Sequence, residues 1–147
     1  MFTELTARVI FLCDAMPGII SKIPEETMAV KPAPDKWSKK EIMGHLVDSA
    51  ANNHQRFIRG QFEHEPVIFY DQNNWVNLQH YNEAPIQQIL GLWQAYNRHL
   101  AYVISTIPEE NLNRQCRGKD GKLYTLKYLV EDYLVHMEHH LKQVGDY

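Results

Sequence analysis

Residues 38–60 read Ser-Lys-Lys-Glu-Ile-Met-Gly-His-Leu-Val-Asp-Ser-Ala-Ala-Asn-Asn-His-Gln-Arg-Phe-Ile-Arg-Gly. The opening Ser38 can accept the N–H of Glu41, and the Glu41 side chain can return to the N–H of Ser38, which is a capping box. Ile42, Leu46, Ala50 and Phe57 then recur at helical spacing. Gly60 marks the expected end. Such a helix, apolar on one stripe and polar elsewhere, must bury that stripe against other elements.

Three further helices supply those elements. Residues 2–23 form the first, with Met16-Pro17-Gly18 predicting a bend or a break inside it. The linker Lys31-Pro32-Ala33-Pro34 that follows bars helix before each proline. Residues 85–107 form the third helix, with Pro85 in its first turn and an apolar stripe of Leu92, Tyr96, Leu100, Val103 and Ile107. Thr125 caps the fourth, which runs to about Gly145. Ahead of it, Asp120-Gly121 predicts a tight hairpin turn. Between the second and third helices, residues 61–82 form a long irregular connection holding Pro66, Phe69, Tyr70, Trp75 and Tyr81. A weak echo links Ser21-Lys22-Ile23-Pro24-Glu25-Glu26 to Ser105-Thr106-Ile107-Pro108-Glu109-Glu110 and suggests two related helical hairpins. The expectation is an all-α chain, one domain over residues 1–147, folded as a four-helix bundle.

Composition narrows the function classes. The 147 residues are 44% hydrophobic and 22% charged, which fits a globular domain with an ordinary core rather than a disordered chain. The net charge is −3, so there is no electrostatic footprint for nucleic acid. Two cysteines, Cys13 and Cys116, are too few for a disulfide framework and fit a reducing cytoplasm. The first residues carry Glu4 and Arg8 and suit an amphipathic helix better than a secretion signal. No run of about 18 apolar residues is present, so no membrane span is expected.

The histidines carry the chemistry. His136 and His140 are four apart on the fourth helix, so they neighbour one another on one face and can share a metal ion. The spacing alone also fits two half-buried helix residues. His139, three from His136, competes. On a wheel centred on Leu126, Val130, Met137, Leu141 and Val144, His140 lies at the edge of the apolar arc and His136 on the same side, while His139 points to solvent. A ligand in a bundle must face inward, so His136 and His140 are the better pair. The wheel of the second helix puts His45 just off its apolar stripe, on a flank shared with Ser49, Asn52 and Arg56. Arg56 could equally be a surface ion-pair partner, and Asn52 a plain exposed amide.

Several stretches match a known pattern. Trp37-Ser38, Gly44-His45-Leu46-Val47-Asp48-Ser49, Asn52 and Arg56-Phe57 resemble the second helix of the DinB/YfiT-like superfamily. Pro66, Ile68, Tyr70-Asp71 and Trp75 resemble the aromatic connection of its YfiT branch. His136, His139-His140 and Gln143 resemble the closing helix. The resemblance covers about residues 17–145. It implies a four-helix bundle, commonly dimeric, with one divalent metal on His45, His136 and His140. It also implies bacillithiol S-transferase activity for the nearest branch, with metal-dependent hydrolysis for other members. The connection is one residue shorter than the YfiT pattern between Pro66 and Tyr70, which leaves the substrate open.

Three neutral imidazoles leave the ion's charge uncompensated and a coordination position free, the layout of catalytic rather than structural sites. A bound thiol would be held as thiolate, ready to attack a small electrophile. An activated water would instead hydrolyse an ester or amide. The YfiT resemblance favours the thiol. Arg56 would bind a carboxylate of the thiol cofactor, with Asn52, Ser49 and Tyr70 helping to orient it. Asp48 or Asp132 would accept from a ligand's free ring nitrogen. Zinc or nickel is expected, and iron, manganese or cobalt fit the same ligands. A non-enzymatic metal-binding or ligand-binding stress protein is the rival from another class.

Overall fold

The computed structural model describes residues 1–147. Its second long helix, α3 (Lys39–Arg59), follows α1 (Thr3–Ile20) and the single turn α2 (Glu25–Met28). The capping box forms as expected: the Ser38 hydroxyl accepts from the Glu41 N–H at 3.0 Å, and Glu41 accepts from the Ser38 N–H at 3.0 Å. Gly60 ends α3, but at a φ of −60° that any residue adopts. Glycine is needed there because a Cβ would lie 2.6 Å from the Arg56 carbonyl and 2.7 Å from the Leu126 side chain.

The first helix is one helix, not two. It continues without interruption through Pro17, which lacks the N–H that would bond the Cys13 carbonyl. Gln94, on the helix alongside, donates to that carbonyl at 2.9 Å. A side chain from another element thus replaces the missing backbone bond. The helix that carries Gln94 is α5 (Ile86–Ser105), and a further helix, α4 (Gln72–Gln79), precedes it within the connection expected to be irregular. Asp71 caps α4 by accepting from the Asn74 N–H at 3.0 Å. Its sequence, QNNWVNLQ, buries only Val76, so no apolar stripe announced it.

After α5 the chain forms the hairpin β1 (Gln115–Arg117) and β2 (Leu123–Thr125), with Cys116 opposite Tyr124. The turn is wider than a two-residue loop. Gly118 donates to the Lys122 carbonyl, and the Gly121 N–H returns to the Gly118 carbonyl with Gly121 left-handed at φ 79°. Thr125 then caps α6 (Leu126–Val144), accepting from the Tyr128 N–H at 3.1 Å.

The four long helices pack as a ring. α3 lies against both α5 and α6, and α1 lies against α5 and, less extensively, α6. Helices consecutive in the chain, α1 with α3 and α5 with α6, make no extended contact and stand across the diagonals. The repeated Ser-x-Ile-Pro-Glu-Glu segments therefore do not mark two side-by-side hairpins. The halves of the chain interleave, and one continuous core of 27 buried residues joins them. This order places α3 beside α6, which is what the histidines require.

Candidate metal centre

His45 projects from α3 and is fully buried. His136 and His140 project from adjacent turns of α6 and are half-buried. The three rings converge, with centroids 5.1, 4.8 and 4.7 Å apart for the pairs 45–136, 45–140 and 136–140. One ligand nitrogen from each lies within 4.8 Å of the others. His139 is exposed, as the wheel indicated.

The donor set suits a cation. His45 and His136 bring their Nε2 atoms to 3.1 Å. Two nitrogens at about 2.0–2.1 Å on a tetrahedral ion would stand roughly 3.3 Å apart. His140 directs its Nδ1 at Gln143 Oε1, 3.1 Å away, so its proton sits on Nδ1 and Nε2 keeps its lone pair. Burial, together with the neighbouring imidazoles, pushes the His45 pKa down to about 3 and that of His136 to about 4. Burial lowers that of His140 too. At neutral pH all three rings are therefore uncharged and can act as ligands. His45 Nδ1 is buried with no partner, a polar atom the fold leaves unsatisfied.

The expected carboxylate support is not made. Asp48 is buried, and its Oδ1 accepts from Tyr81 at 2.6 Å and from Gln79 at 2.8 Å, not from a histidine. Asp132 is exposed and forms no bond with a ring nitrogen. Gln143 fills that role for His140 instead. Tyr81 reaches Asp48 because its ring lies against Gly44, where an added Cβ would meet ring atoms at 2.2–2.4 Å.

Two cavities flank the histidines. An open groove of about 780 Å³ meets His140 and Gln143; Val30, Trp37 and Ile42 give it an apolar wall, and Asp35, Lys36 and Lys39 line it as well. The Trp37 ring lies 4.6 Å from that of His45 and 6.2 Å from that of His140. Its place just before the Ser38 cap is the position whose apolar side chain folds back over the first turn toward Ile42, a signal present in the sequence but not used. On the other side a pocket of about 160 Å³ meets His136 and is lined by Ser49, Asn53, Arg56, Tyr70 and Asp132.

Of the expected flanking residues, Ser49, Arg56 and Tyr70 line this polar pocket. Asn52 does not. It is buried, and its amide donates to the Asp48 carbonyl of its own helix at 2.9 Å. Asn53 lines the pocket in its place, since α3 turns by about 100° per residue. Arg56 is no surface ion-pair partner: it donates to Asn53 Oδ1 at 3.0 Å and to the Ile68 carbonyl at 3.1 Å. Burial and the Asp48 charge raise the Tyr70 hydroxyl to about 12, so it stays protonated.

The family described as the DinB superfamily matches residues 12–144. Among curated proteins, the chain is 25% identical over 111 residues to "Putative metal-dependent hydrolase BH0277" of Halalkalibacterium halodurans, covering 75% of this chain and 64% of that one. It is 26% identical over 112 residues to "Putative metal-dependent hydrolase YfiT" of Bacillus subtilis, covering 75% and 63%. The chain thus spans a little under two thirds of the length of these relatives. The solved structure of Bacillus subtilis YfiT, described as "a probable metal-dependent hydrolase with an unusual four-helix bundle topology", superposes with a TM-score of 0.81 at 21% identity. That match covers 98% of this chain and 86% of the other, and it bears on the fold. No helix is long and apolar enough to cross a membrane.

Proposed function

The chain belongs to the DinB superfamily, and from that premise we propose that it is a metal-dependent transferase that joins a small thiol of the bacillithiol type to an apolar electrophile. One observation carries the reading. The neutral histidine triad meets two cavities of different make-up, a groove at His140 with an apolar wall of Val30, Trp37 and Ile42 beside Asp35, Lys36 and Lys39, and a smaller pocket at His136 that holds Arg56 and Asp132. Transfer needs two binding places on either side of the reacting atoms, whereas hydrolysis needs one and a water.

His45, His136 and His140 would hold one divalent ion, zinc or nickel first among the candidates. Bound there, the ion would supply Lewis acidity that favours the ionised form of a nucleophile at neutral pH. The chain's own residues do the rest. Trp37, Val30 and Ile42 offer the electrophile an apolar wall beside His140. Arg56 offers N–H donors to the thiol compound, and Tyr70 and Ser49 line the same pocket. Gln143 fixes the His140 tautomer. Trp37 covers one face of His45 and limits water there. Assembly as a homodimer in the cytoplasm belongs to the same proposal.

Hydrolysis is the second reading. It is favoured by the names of the relatives and by Asp132, a carboxylate in the same pocket as His136 that could take a proton from water. The test uses metal-loaded protein with bacillithiol and 1-chloro-2,4-dinitrobenzene, and in parallel with p-nitrophenyl acetate. The transferase reading expects conjugation above the chemical background that disappears with a chelator. Ester hydrolysis without conjugation would establish the second reading and reject the first.

A further inference from the structure

Arg56 differs from the other arginines of this chain. Of six arginines, Arg8, Arg59, Arg98 and Arg117 each hold a carboxylate. Arg114 donates to the Gly60 and Glu63 carbonyls at the surface. Arg56 is half-buried, and its two hydrogen-bond acceptors, an amide oxygen and a carbonyl, are both neutral. A guanidinium withdrawn from water without a counter-charge is costly unless something else brings one.

Asp132 lines the same pocket and is also unpaired, with no cation within 4.0 Å and no hydrogen bond to its side chain. The two opposite charges face one small volume without touching. That arrangement fits a guest carrying both charges, placed between them. The pocket of about 160 Å³ is well below the roughly 300–1,000 Å³ of drug-sized sites, so it has room for a compact head group only. His136 forms one wall, and Tyr70, whose hydroxyl makes no hydrogen bond within the chain, forms another. Arg56 and Asp132 also border an adjoining cavity of about 240 Å³ beside Cys116 and Tyr124, so a guest longer than the head group has somewhere to extend.

We infer that the pocket beside His136 binds a zwitterionic head of the α-amino acid type, its carboxylate on Arg56, its ammonium on Asp132 and its side chain toward His136. The inference rests on the transferase reading for one point and narrows it: the thiol substrate then carries a free α-carboxylate beside its ammonium, as cysteine does, rather than a cysteinyl carboxyl held as an amide, as in bacillithiol. Binding of the head group itself does not depend on turnover.

The probe is S-methyl-L-cysteine, which carries the head group but no free thiol. Its binding to the full chain is followed by calorimetry, with and without metal, against two comparison compounds. N-acetyl-S-methyl-L-cysteine lacks the ammonium, and S-methyl-L-cysteine methyl ester lacks the carboxylate. The zwitterion should bind saturably, and each comparison compound should bind about tenfold or more weakly. Asp132→Asn, a change at an exposed position, should remove the discrimination against the acetylated compound and keep that against the ester. Arg56→Lys should weaken the zwitterion, with the melting temperature as a check on folding. Equal binding of the three compounds, absence of saturation by about 10 mM, or an unchanged preference in Asp132→Asn would overturn the inference. Saturable, discriminating binding, together with no metal-dependent conjugation of a thiol to 1-chloro-2,4-dinitrobenzene, would leave this inference standing and reject the transferase reading.

Discussion

His139 and His140 are adjacent in the chain and opposite in consequence. One is exposed, and the other turns its ring to within 4.8 Å of that of His45. Helical periodicity was enough to separate them, because about 100° per residue moves neighbouring side chains onto different faces. The same periodicity did not separate Asn52 from Asn53, since both positions of α3 are buried and only the arrangement of surrounding helices shows which one meets a cavity. Gly44 stands in the stretch that carries the family resemblance, but the reason for a glycine there was not legible. It lacks a side chain because the Tyr81 ring occupies that space, and Tyr81 comes from a connection with no regular pattern. Gly44→Ala should lower stability by about 1–3 kcal/mol, as overpacking does, by displacing Tyr81 from Asp48. Chemical denaturation measures it, and a loss under about 0.5 kcal/mol would mean the ring moves aside freely.

Among the elements, the start of α3 shows how far local rules reach. Ser38, Glu41 and the following apolar spacing were sufficient to place that helix, since a capping box satisfies backbone donors with side chains close in sequence. Ser38→Ala should cost about 1 kcal/mol, read as a melting temperature lower by roughly 2–4 °C. Pro17 shows where local rules stop. Proline predicts an interruption, yet α1 continues because Gln94, far away in the chain, takes the freed Cys13 carbonyl. Gln94→Leu should leave that carbonyl without its partner and destabilise the chain by about 1–3 kcal/mol. If denaturation shows no change, the continuity of α1 has another cause. The helix α4 was hidden for a related reason: its stability comes from the Asp71 cap and a single buried valine, not from an amphipathic face.

The whole molecule is a ring in which the first two long helices, α1 and α3, and the last two, α5 and α6, face across diagonals, and no pattern within one helix specifies that order. It is this order that brings His45 to His136 and His140. It also makes the centre a source of pH dependence in the metal-free chain. Burial holds the His45 pKa at about 3 and that of His136 at about 4, against an ordinary 6.5. Between those values the unfolded chain binds protons that the folded chain does not, so stability is full above about 6.5 and falls as the pH drops toward 4. Melting of the metal-free protein at pH 7.5, 6 and 5 should therefore show a falling midpoint, and His45→Phe should flatten the fall. A midpoint independent of pH would mean that the rings are solvated. The central claim, a divalent ion held by three histidines between α3 and α6, is tested most directly by titrating the metal-free chain with Co²⁺ and following the visible absorption. One equivalent should bind with bands of a tetrahedral or five-coordinate ion, the bands should vanish in His45→Ala, His136→Ala and His140→Ala, and His139→Ala should keep them. Binding of the same strength and spectrum in His45→Ala would contradict the account.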